Sequence, residues 1–252
     1  MADIVEGAVC GVDGCTDAPA PAAIAKESPA GPVLELSIVS DAICPWCYIG
    51  KRRLETALHA LGNLANVRIV WRPFELNPDM PKEGIERSLY RMRKFGSLER
   101  SKQLDAQVSE AAAGEGLNFR YDLIARTPNT FAAHRLIWLA TGPRQDALMD
   151  AIFSAYFCEG RDIGDRAVLA GLAPAGGIES ARARAFLDGD EGKPEVGRDL
   201  MIAKRAGLSG VPAFVAQGRL LFSGAQSPEV MASVLRQIMS PAAAPAFAFD
   251  PG

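Results

Sequence analysis

The sequence has no long apolar run and no excess of basic residues. Its 252 residues carry 27 lysines and arginines against 30 aspartates and glutamates, which gives a formal net charge of −3. A domain that binds nucleic acid by its phosphates usually shows a basic stripe, so we expect no nucleic-acid partner. No stretch approaches the roughly 20 apolar residues that span a bilayer, so we expect no membrane partner either. With 48% apolar residues, the composition is that of a globular domain with a large core.

Cysteine is also scarce, with five in the whole chain. That number is too small for a disulfide-dense secreted scaffold, and because it is odd at least one thiol is unpaired in a monomer. Residues 1–7 contain acids where a signal peptide needs lysine or arginine, and no apolar segment of the required length follows. We therefore expect a cytoplasmic protein, in which closely spaced cysteines are more often catalytic or metal-binding than structural.

Composition and periodicity divide the chain into a folded body and two tails. Residues 1–32 and 241–252 are rich in alanine and proline and are predicted to be flexible. Residues 33–80 show a strand, an amphipathic helix and a second strand, which predicts a parallel crossover unit. Residues 81–192 show helical periodicity with short breaks. Residues 193–240 predict a helix, a hairpin of two short strands and a last helix.

Two cysteines, in the sequence Cys44-Pro45-Trp46-Cys47, lie between the first predicted strand and the first predicted helix. At that helix N-terminus, free backbone N–H groups and the helix dipole stabilise an anion. A thiolate is such an anion, so Cys44 is predicted to be the nucleophile. Cys47 lies almost one turn further on and is predicted to attack the mixed disulfide on Cys44 and release the partner. A CxxC motif beside a βαβ unit is typical of thioredoxin-like proteins, which favours a redox dithiol.

Two other interpretations of this pair stay open. CxxC is also a zinc-ligand spacing, but a zinc site needs two further ligands and the chain has only two histidines, His59 and His134, which form no pair. Cys10 and Cys15 would complete a four-cysteine set only with a loose spacing. The third interpretation is a pair of buried, inert thiols. The redox interpretation is favoured over both, so no metal site is predicted at the dithiol.

A second feature is the sequence Gly210-Val211-Pro212, directly before the predicted hairpin. Only about 5–6% of X–Pro bonds are cis, so this sequence alone would not predict one. Together with a CxxC motif after the first strand, it predicts a cis bond before Pro212 in a loop that faces the dithiol. The backbone of Val211 could then pair with an extended substrate segment. Val211 and Pro212 are therefore predicted to bind substrate, together with Pro45 and Trp46.

In these motifs the chain resembles the DsbA-like thioredoxin-fold oxidoreductases, and most closely their FrnE-like cytoplasmic branch. The resemblance covers about residues 34–238 and is carried by Ser40–Arg53, Trp71–Pro78, Asn129-Thr130, His134-Arg135, Glu159–Asp165, Gly210–Phe214 and Ser223–Gln226. It implies an α/β protein in which a thioredoxin-like domain (βαβ … ββα, residues 33–80 and 193–240) is interrupted by a large all-helical insertion domain (residues 81–192). It also implies dithiol–disulfide exchange, with Cys44 attacking and Cys47 resolving.

The residues between the two cysteines depart from one part of that family. Periplasmic DsbA proteins carry a histidine there that helps to hold the thiolate, whereas this chain has Pro45-Trp46. Without the histidine we expect a less oxidising couple. The expected activity is therefore that of a protein disulfide reductase or isomerase, with chaperone character, rather than that of an oxidase. The expected partners are protein thiols and disulfides, with no cofactor other than the redox-active disulfide.

Several residues outside the motif receive weaker predictions. Asp41 precedes the dithiol and is a candidate proton acceptor for Cys47 through a water, with loop capping as the alternative. Cys10 and Cys15 are a candidate auxiliary redox pair, a soft-metal site or two thiols without a role. Cys158 is predicted to be buried and inert. A cluster of four cations, Arg87, Arg91, Arg93 and Lys94, is predicted to lie on a solvated helix face.

Two other functional classes are retained. Kappa-class glutathione transferases and 2-hydroxychromene-2-carboxylate isomerases share the interrupted thioredoxin fold, so a glutathione-dependent enzyme acting on an aromatic or polyketide molecule is an alternative. Those relatives generally use serine at the first active-site position, where this chain has Cys44. The third class is a non-catalytic metal-binding or chaperone protein that uses Cys10, Cys15 and the dithiol.

Overall fold

The computed structural model describes residues 33–62 and 66–240, so the predicted tails at 1–32 and 241–252 lie outside the described residues. The strands in the described part are β1 (Leu34–Ser40), β2 (Val67–Pro73), β3 (Ile85–Glu86), β4 (Arg126–Thr127), β5 (Ala213–Ala216) and β6 (Arg219–Ser223). The helices there are α1 (Pro45–Leu61), α2 (Arg87–Phe95), α3 (Leu98–Gly114), α4 (Phe131–Leu139), α5 (Pro143–Phe157), α6 (Arg166–Leu172), α7 (Ser180–Asp188), α8 (Lys193–Arg205) and α9 (Pro228–Met239). The element types agree with the sequence pattern except for β3 and β4, which lie in the segment predicted to be all-helical.

The main sheet has the strand order β2-β1-β5-β6. β1 pairs with β2 in parallel and with β5 antiparallel, which confirms the predicted crossover unit. β5 and β6 form the predicted hairpin, whose two turn residues, Gln217 and Gly218, both have positive φ angles of 51° and 69°. Two positive φ values are what a two-residue type I′ turn needs, and its twist matches that of the strands. β1 is therefore the central strand, and the dithiol follows its end.

Helix α1 runs back across the sheet from the dithiol. Its buried residues Leu54, Ala57 and Leu61 recur at i, i+3 and i+7, so they lie on one face of the helix. Helix α1 also packs against α9, whose N-cap residue Ser227 accepts a hydrogen bond on its hydroxyl from the Val230 N–H. Burying each leucine contributes about 1.5–3 kcal/mol. The N-terminus of α1 is thus held on the sheet by the rest of the helix.

The insertion between β2 and α8 is helical apart from one short ribbon. β3 and β4 pair antiparallel, with Ile85 opposite Thr127. Strands of two residues are too short to show alternation in a sequence, so the pattern could not predict them. The insertion shares its core with the sheet domain, because the Tyr48 ring of α1 stacks on Phe153 of α5 with the ring centroids 4.9 Å apart. The domain limits at 80/81 and 192/193 stay predictions.

A buried lysine also ties α1 to the insertion. The Lys51 side chain is 4% exposed and forms a salt bridge with Glu55 on its own helix. Its Nζ lies 3.3 Å from a carboxylate oxygen of Asp146 and 3.4 Å from one of Asp150, both on α5. An amine this deeply buried needs such partners, since desolvation alone disfavours its charge. Lys51 therefore fixes the position of α5 against the helix that carries the dithiol.

Candidate active site

Cys44 is the N-cap residue of α1, with extended backbone angles (φ −89°, ψ 111°), and Pro45 occupies the first helical turn. Because α1 has 17 residues, its dipole and free N–H groups are fully developed at this end. The Cys44 Sγ also lies 3.6 Å from the carbonyl oxygen of Val211. Cys44 and Cys47 are both free thiols in this structure. The dithiol is therefore in its reduced form, with the predicted nucleophile at the helix N-terminus.

Cys47 lies one turn deeper and is 1% exposed. Burial raises the pKa of its thiol well above the ordinary value, and the hydrogen bond and the charge of Cys44 raise it further. The Ser40 hydroxyl and the backbone at Asp41 act in the opposite direction and lower this pKa. The Ser40 Oγ is buried and, among residues 33–62 and 66–240, has no hydrogen-bond partner that meets ordinary distance criteria. It is therefore free to interact with the Cys47 sulfur.

The loop before β5 forms the second side of the site. The peptide bond between Val211 and Pro212 is cis, as the two motifs together predicted. The Pro212 carbonyl oxygen accepts a hydrogen bond of 2.8 Å from the Gly224 N–H, which anchors the loop to the end of β6. On α1, a Cβ at Gly50 would lie 3.1 Å from the Pro212 ring. The absence of a side chain at Gly50 thus lets α1 approach this loop closely.

Asp41 is completely buried, and its carboxylate holds two segments of backbone together. One carboxylate oxygen accepts a 2.7 Å hydrogen bond from the Leu76 N–H, and the other accepts a weaker one of 3.4 Å from the Ile43 N–H. The His134 Nε2 lies 3.6 Å from Asp41 and 2.9 Å from the Phe74 carbonyl oxygen. These contacts support the loop-capping interpretation of Asp41. Its role as a proton acceptor stays a prediction.

A cavity of about 320 Å³ opens beside the dithiol, between the sheet domain and the insertion. Cys44, Pro45, Trp46 and Val211 line it on one side, so three of the four predicted substrate-binding residues border the same space. Trp46 is 40% exposed there. Pro212 is buried behind this surface. Residues of α2 and α3 line the opposite side, among them Arg87, Tyr90, Arg91, Lys94 and Asp105.

The sequence interpretation of α2 was wrong for two of its four cations. Arg87 and Arg91, expected on a solvated helix face, have side chains that are each only 16% exposed, whereas Arg93 and Lys94 are exposed as expected. Arg87, Arg91 and Lys94 all line the cavity. Their spacing at i, i+4 and i+7 already places them on one face. The sequence could not show that this face is turned toward Cys44, because that depends on how the insertion packs.

Among the remaining predicted residues, Cys10 and Cys15 lie outside the described residues. Cys158, at the C-terminal end of α5, is half-buried rather than buried, and burial raises the pKa of its thiol. Within residues 33–62 and 66–240, no three histidine, cysteine, aspartate or glutamate side chains are arranged to hold a metal ion. In the same residues, no helix is long and apolar enough to cross a bilayer.

Comparison with known proteins bears on the fold and on the family. The sequence-family model described as the DSBA-like thioredoxin domain matches residues 35–236 of this chain. The structure of the probable DsbA oxidoreductase SCO1869 from Streptomyces coelicolor superimposes with a TM-score of 0.72 at 34% identity, over 81% of this chain and 89% of that one. The protein YwbO of Bacillus subtilis is 25% identical over 201 residues, which is 78% of this chain and 93% of YwbO.

A more distant structure shares the fold. The cytosolic disulfide reductase DsbM from Pseudomonas aeruginosa, solved with GSH, superimposes with a TM-score of 0.58 at 19% identity. The match covers 82% of this chain and all of DsbM. The interrupted thioredoxin-like architecture is therefore common to this chain and to these proteins.

Proposed function

The chain belongs to the family of DSBA-like thioredoxin domains, and on that basis we propose that it is a thiol–disulfide oxidoreductase of the protein disulfide reductase or isomerase type. One observation supports the proposal most strongly. Cys44 caps a long helix beside a cavity, and Cys47 lies one turn deeper in the same helix, so these two cysteines suffice for both steps of an exchange. Cys44 is only 4% exposed but lines the cavity, where a substrate sulfur can approach it, and Cys47 beneath it is a protected resolving thiol.

The proposed reaction is two successive exchanges. The Cys44 thiolate attacks one sulfur of a substrate disulfide, the substrate S–S bond breaks, and the released thiolate takes up a proton. Cys47 then loses its proton and attacks the Cys44 sulfur of the mixed disulfide. This second step forms the Cys44–Cys47 disulfide and releases the other substrate sulfur as a thiol, so two electrons pass to the substrate. Return to the dithiol requires an external thiol donor.

The pKa of Cys47 depends on the state of Cys44, and this favours the proposed order of the two exchanges. Two of the causes that raise the pKa of Cys47, the hydrogen bond and the charge of Cys44, depend on a free Cys44 sulfur. When Cys44 is bonded to substrate its charge is gone, so Cys47 ionises more easily than in the free dithiol. Desolvation persists in both states and keeps the second exchange slow. A long-lived mixed disulfide gives a substrate thiol time to attack instead, which is isomerisation.

We also propose that the protein works in the cytoplasm, on protein disulfides. A dithiol that donates electrons needs a compartment that keeps it reduced, and the cytosol does so. This chain has Pro45-Trp46 in place of a histidine that would hold the thiolate, which supports electron donation from the dithiol to the substrate disulfide. The exposed Trp46 ring and the Val211 backbone border the cavity, where an extended, partly apolar segment could bind.

A glutathione-dependent activity on a small molecule is the second candidate. The cavity beside Cys44 favours it, since its volume of about 320 Å³ lies at the lower end of small-ligand sites. A fold neighbour, DsbM, was also solved with GSH. In this candidate, Cys44 would exchange with glutathione rather than with a protein.

A trapping experiment separates the two candidates. Cys47→Ala cannot resolve a mixed disulfide, so adducts on Cys44 accumulate in the host cell and can be identified by mass after alkylation. We expect discrete protein adducts that disappear in the Cys44→Ser, Cys47→Ala double variant. Glutathione alone on Cys44 would favour the second candidate. In parallel, purified wild-type protein should reduce insulin disulfides, and activity that survives Cys44→Ser would refute the proposed function.

A further inference from the structure

Three cations of α2 face the dithiol across the cavity. We call Arg87, Arg91 and Lys94 the cationic wall. All three line the cavity together with Cys44 and Trp46. Arg93, on the same helix, is exposed and does not line the cavity.

The wall carries more positive charge than its surroundings neutralise. Asp105 of α3 is the acidic residue that lines this cavity, and it is shared: one carboxylate oxygen is 2.8 Å from Arg87 and the other contacts Arg91. Lys94 has no carboxylate partner within the described residues 33–62 and 66–240. Three cations thus face one carboxylate, although the whole chain has a net charge of −3. Burial lowers the pKa of Arg91. The charge of Asp105 opposes this shift, and the charge of Arg87 adds to it.

The cationic wall is held in place before any ligand arrives. The Arg87 guanidinium lies 4.9 Å from the centroid of the Tyr121 ring, and the Arg91 guanidinium lies 4.3 Å from that of Phe95. Arg91 also donates a 2.7 Å hydrogen bond from its Nε to the Ser101 hydroxyl. Guanidinium groups fixed in this way lose little side-chain entropy when they bind an anion.

We propose that the cationic wall binds a carboxylate of the substrate segment that becomes disulfide-linked to Cys44, so that the protein prefers disulfides flanked by acidic residues. This inference rests on the proposed function and specifies its substrate class, an acidic peptide segment. The Cys44 thiolate attacks the substrate sulfur next to the acidic residue, forms the mixed disulfide and releases the other sulfur as a thiolate, which takes a proton from water. The carboxylate meanwhile pairs with Arg91 and Lys94. Arginine and lysine side chains bind carboxylates and phosphates alike. The proposed substrate is a peptide, and the anionic side chains of a peptide are carboxylates, so a peptide is the appropriate probe.

The test compares three disulfide-linked peptides that are identical except for the residues on both sides of the cysteine, which are Glu, Gln or Lys. The rate of mixed-disulfide formation with Cys47→Ala is measured for each and divided by the rate with dithiothreitol, which corrects for the intrinsic reactivity of each peptide. We expect the Glu peptide to react about tenfold faster than the Lys peptide, the effect of one charge-assisted hydrogen bond. In about 1 M salt, where charges are screened beyond about 3 Å, the ratio should shrink.

Variants in the Cys47→Ala background show which residues cause the preference. Arg91→Gln and Lys94→Gln should each reduce the Glu-to-Lys ratio several-fold, and Lys94→Glu should reverse it in favour of the Lys peptide. Arg93→Gln removes the same charge from the same helix outside the cavity, and it should leave the ratio unchanged. Lys94 forms no ion pair in the described residues, so its variants keep the test valid even if Arg91→Gln does not fold.

Equal corrected rates for the three peptides, or an unchanged ratio in the Lys94 variants, would overturn the inference and leave the proposed function intact. Failure to react with any peptide would instead refute the proposed function. A third arm uses 3,3′-dithiodipropionate, a small dicarboxylate disulfide, beside neutral hydroxyethyl disulfide. Charge preference for this small molecule without any preference among the peptides would assign the wall to a small-molecule substrate and overturn the peptide class.

Discussion

The Sγ atom of Cys44 lies 3.6 Å from the carbonyl oxygen of Val211, although the two residues are 167 positions apart in the chain. The carbonyl accepts from the thiol only while Cys44 is protonated. When Cys44 ionises or joins a substrate, this oxygen loses its donor and is free to accept an N–H from a substrate backbone. In the proposed reaction, formation of the mixed disulfide and pairing with the Val211 backbone would therefore occur at the same place.

The two thiols should react in a fixed order with an alkylating reagent. Cys44 is 4% exposed and Cys47 1%, but Cys44 lines the cavity at the helix N-terminus, whereas burial raises the pKa of Cys47. We therefore expect iodoacetamide at neutral pH to modify Cys44 first and Cys47 at least tenfold more slowly, since the thiolate is the reactive form. Peptide mass mapping after timed quenching measures both rates. In guanidinium the two rates should become similar, and faster labelling of Cys47 in the native protein would contradict the assignment.

The stability of the reduced protein should fall at high pH because of Cys47. Its folded pKa is raised above the ordinary thiol value of 9.0, so the folded state holds the proton more tightly than the unfolded state. The stability that the folded state gains from this tighter proton binding is therefore complete below about pH 9. It is lost as the pH rises toward the pKa of Cys47 in the folded state, at up to about 1.4 kcal/mol per pH unit. Urea unfolding of wild type and Cys47→Ala across this range measures it. We expect the two free energies of unfolding to converge or cross as the pH rises, and parallel curves would contradict the prediction.

Ser40 should assist the release of substrate without stabilising the fold. Its buried hydroxyl has no ordinary hydrogen-bond partner, and it lowers the pKa of Cys47. In Ser40→Ala we expect the second exchange to slow about three- to tenfold, the effect of one lost hydrogen bond to an anion, and its pH profile to shift upward. Removing an unpartnered hydroxyl should leave stability unchanged or raise it. Stopped-flow measurement of mixed-disulfide decay tests this role. If Ser40 were only structural, Ser40→Ala would lower stability and leave the pH profile of the second exchange unchanged.

The reacting half of the site could be predicted from the sequence because it is local. Cys44 and Cys47 are three residues apart, and a strand followed by an amphipathic helix determines where they lie. The hairpin turn at Gln217-Gly218 is likewise encoded within a few residues. The cis bond before Pro212 needed more, because it could be predicted only from its own segment together with the distant CxxC motif.

The substrate-facing half could not be predicted because it depends on packing between distant segments. The periodicity of α2 places Arg87, Arg91 and Lys94 on one face but does not show what that face meets. The contacts of Asp41 are equally hidden, since its carboxylate binds the Leu76 N–H, 35 residues away. The large-scale arrangement of the insertion, and not any motif within it, creates the cavity.

Lys51 offers a test of how firmly that arrangement is fixed. Lys51→Met keeps the aliphatic stem but leaves the carboxylates of Glu55, Asp146 and Asp150 without their buried cation. Breaking a buried ion pair costs about 3–5 kcal/mol, but these carboxylates are roughly a third exposed and partly hydrated, so we expect a loss of about 2 kcal/mol. As a control, Arg68→Met breaks the exposed pair with Glu35 and should cost less than about 1 kcal/mol. Urea unfolding measures both, and equal costs would show that Lys51 does not hold α5 against α1.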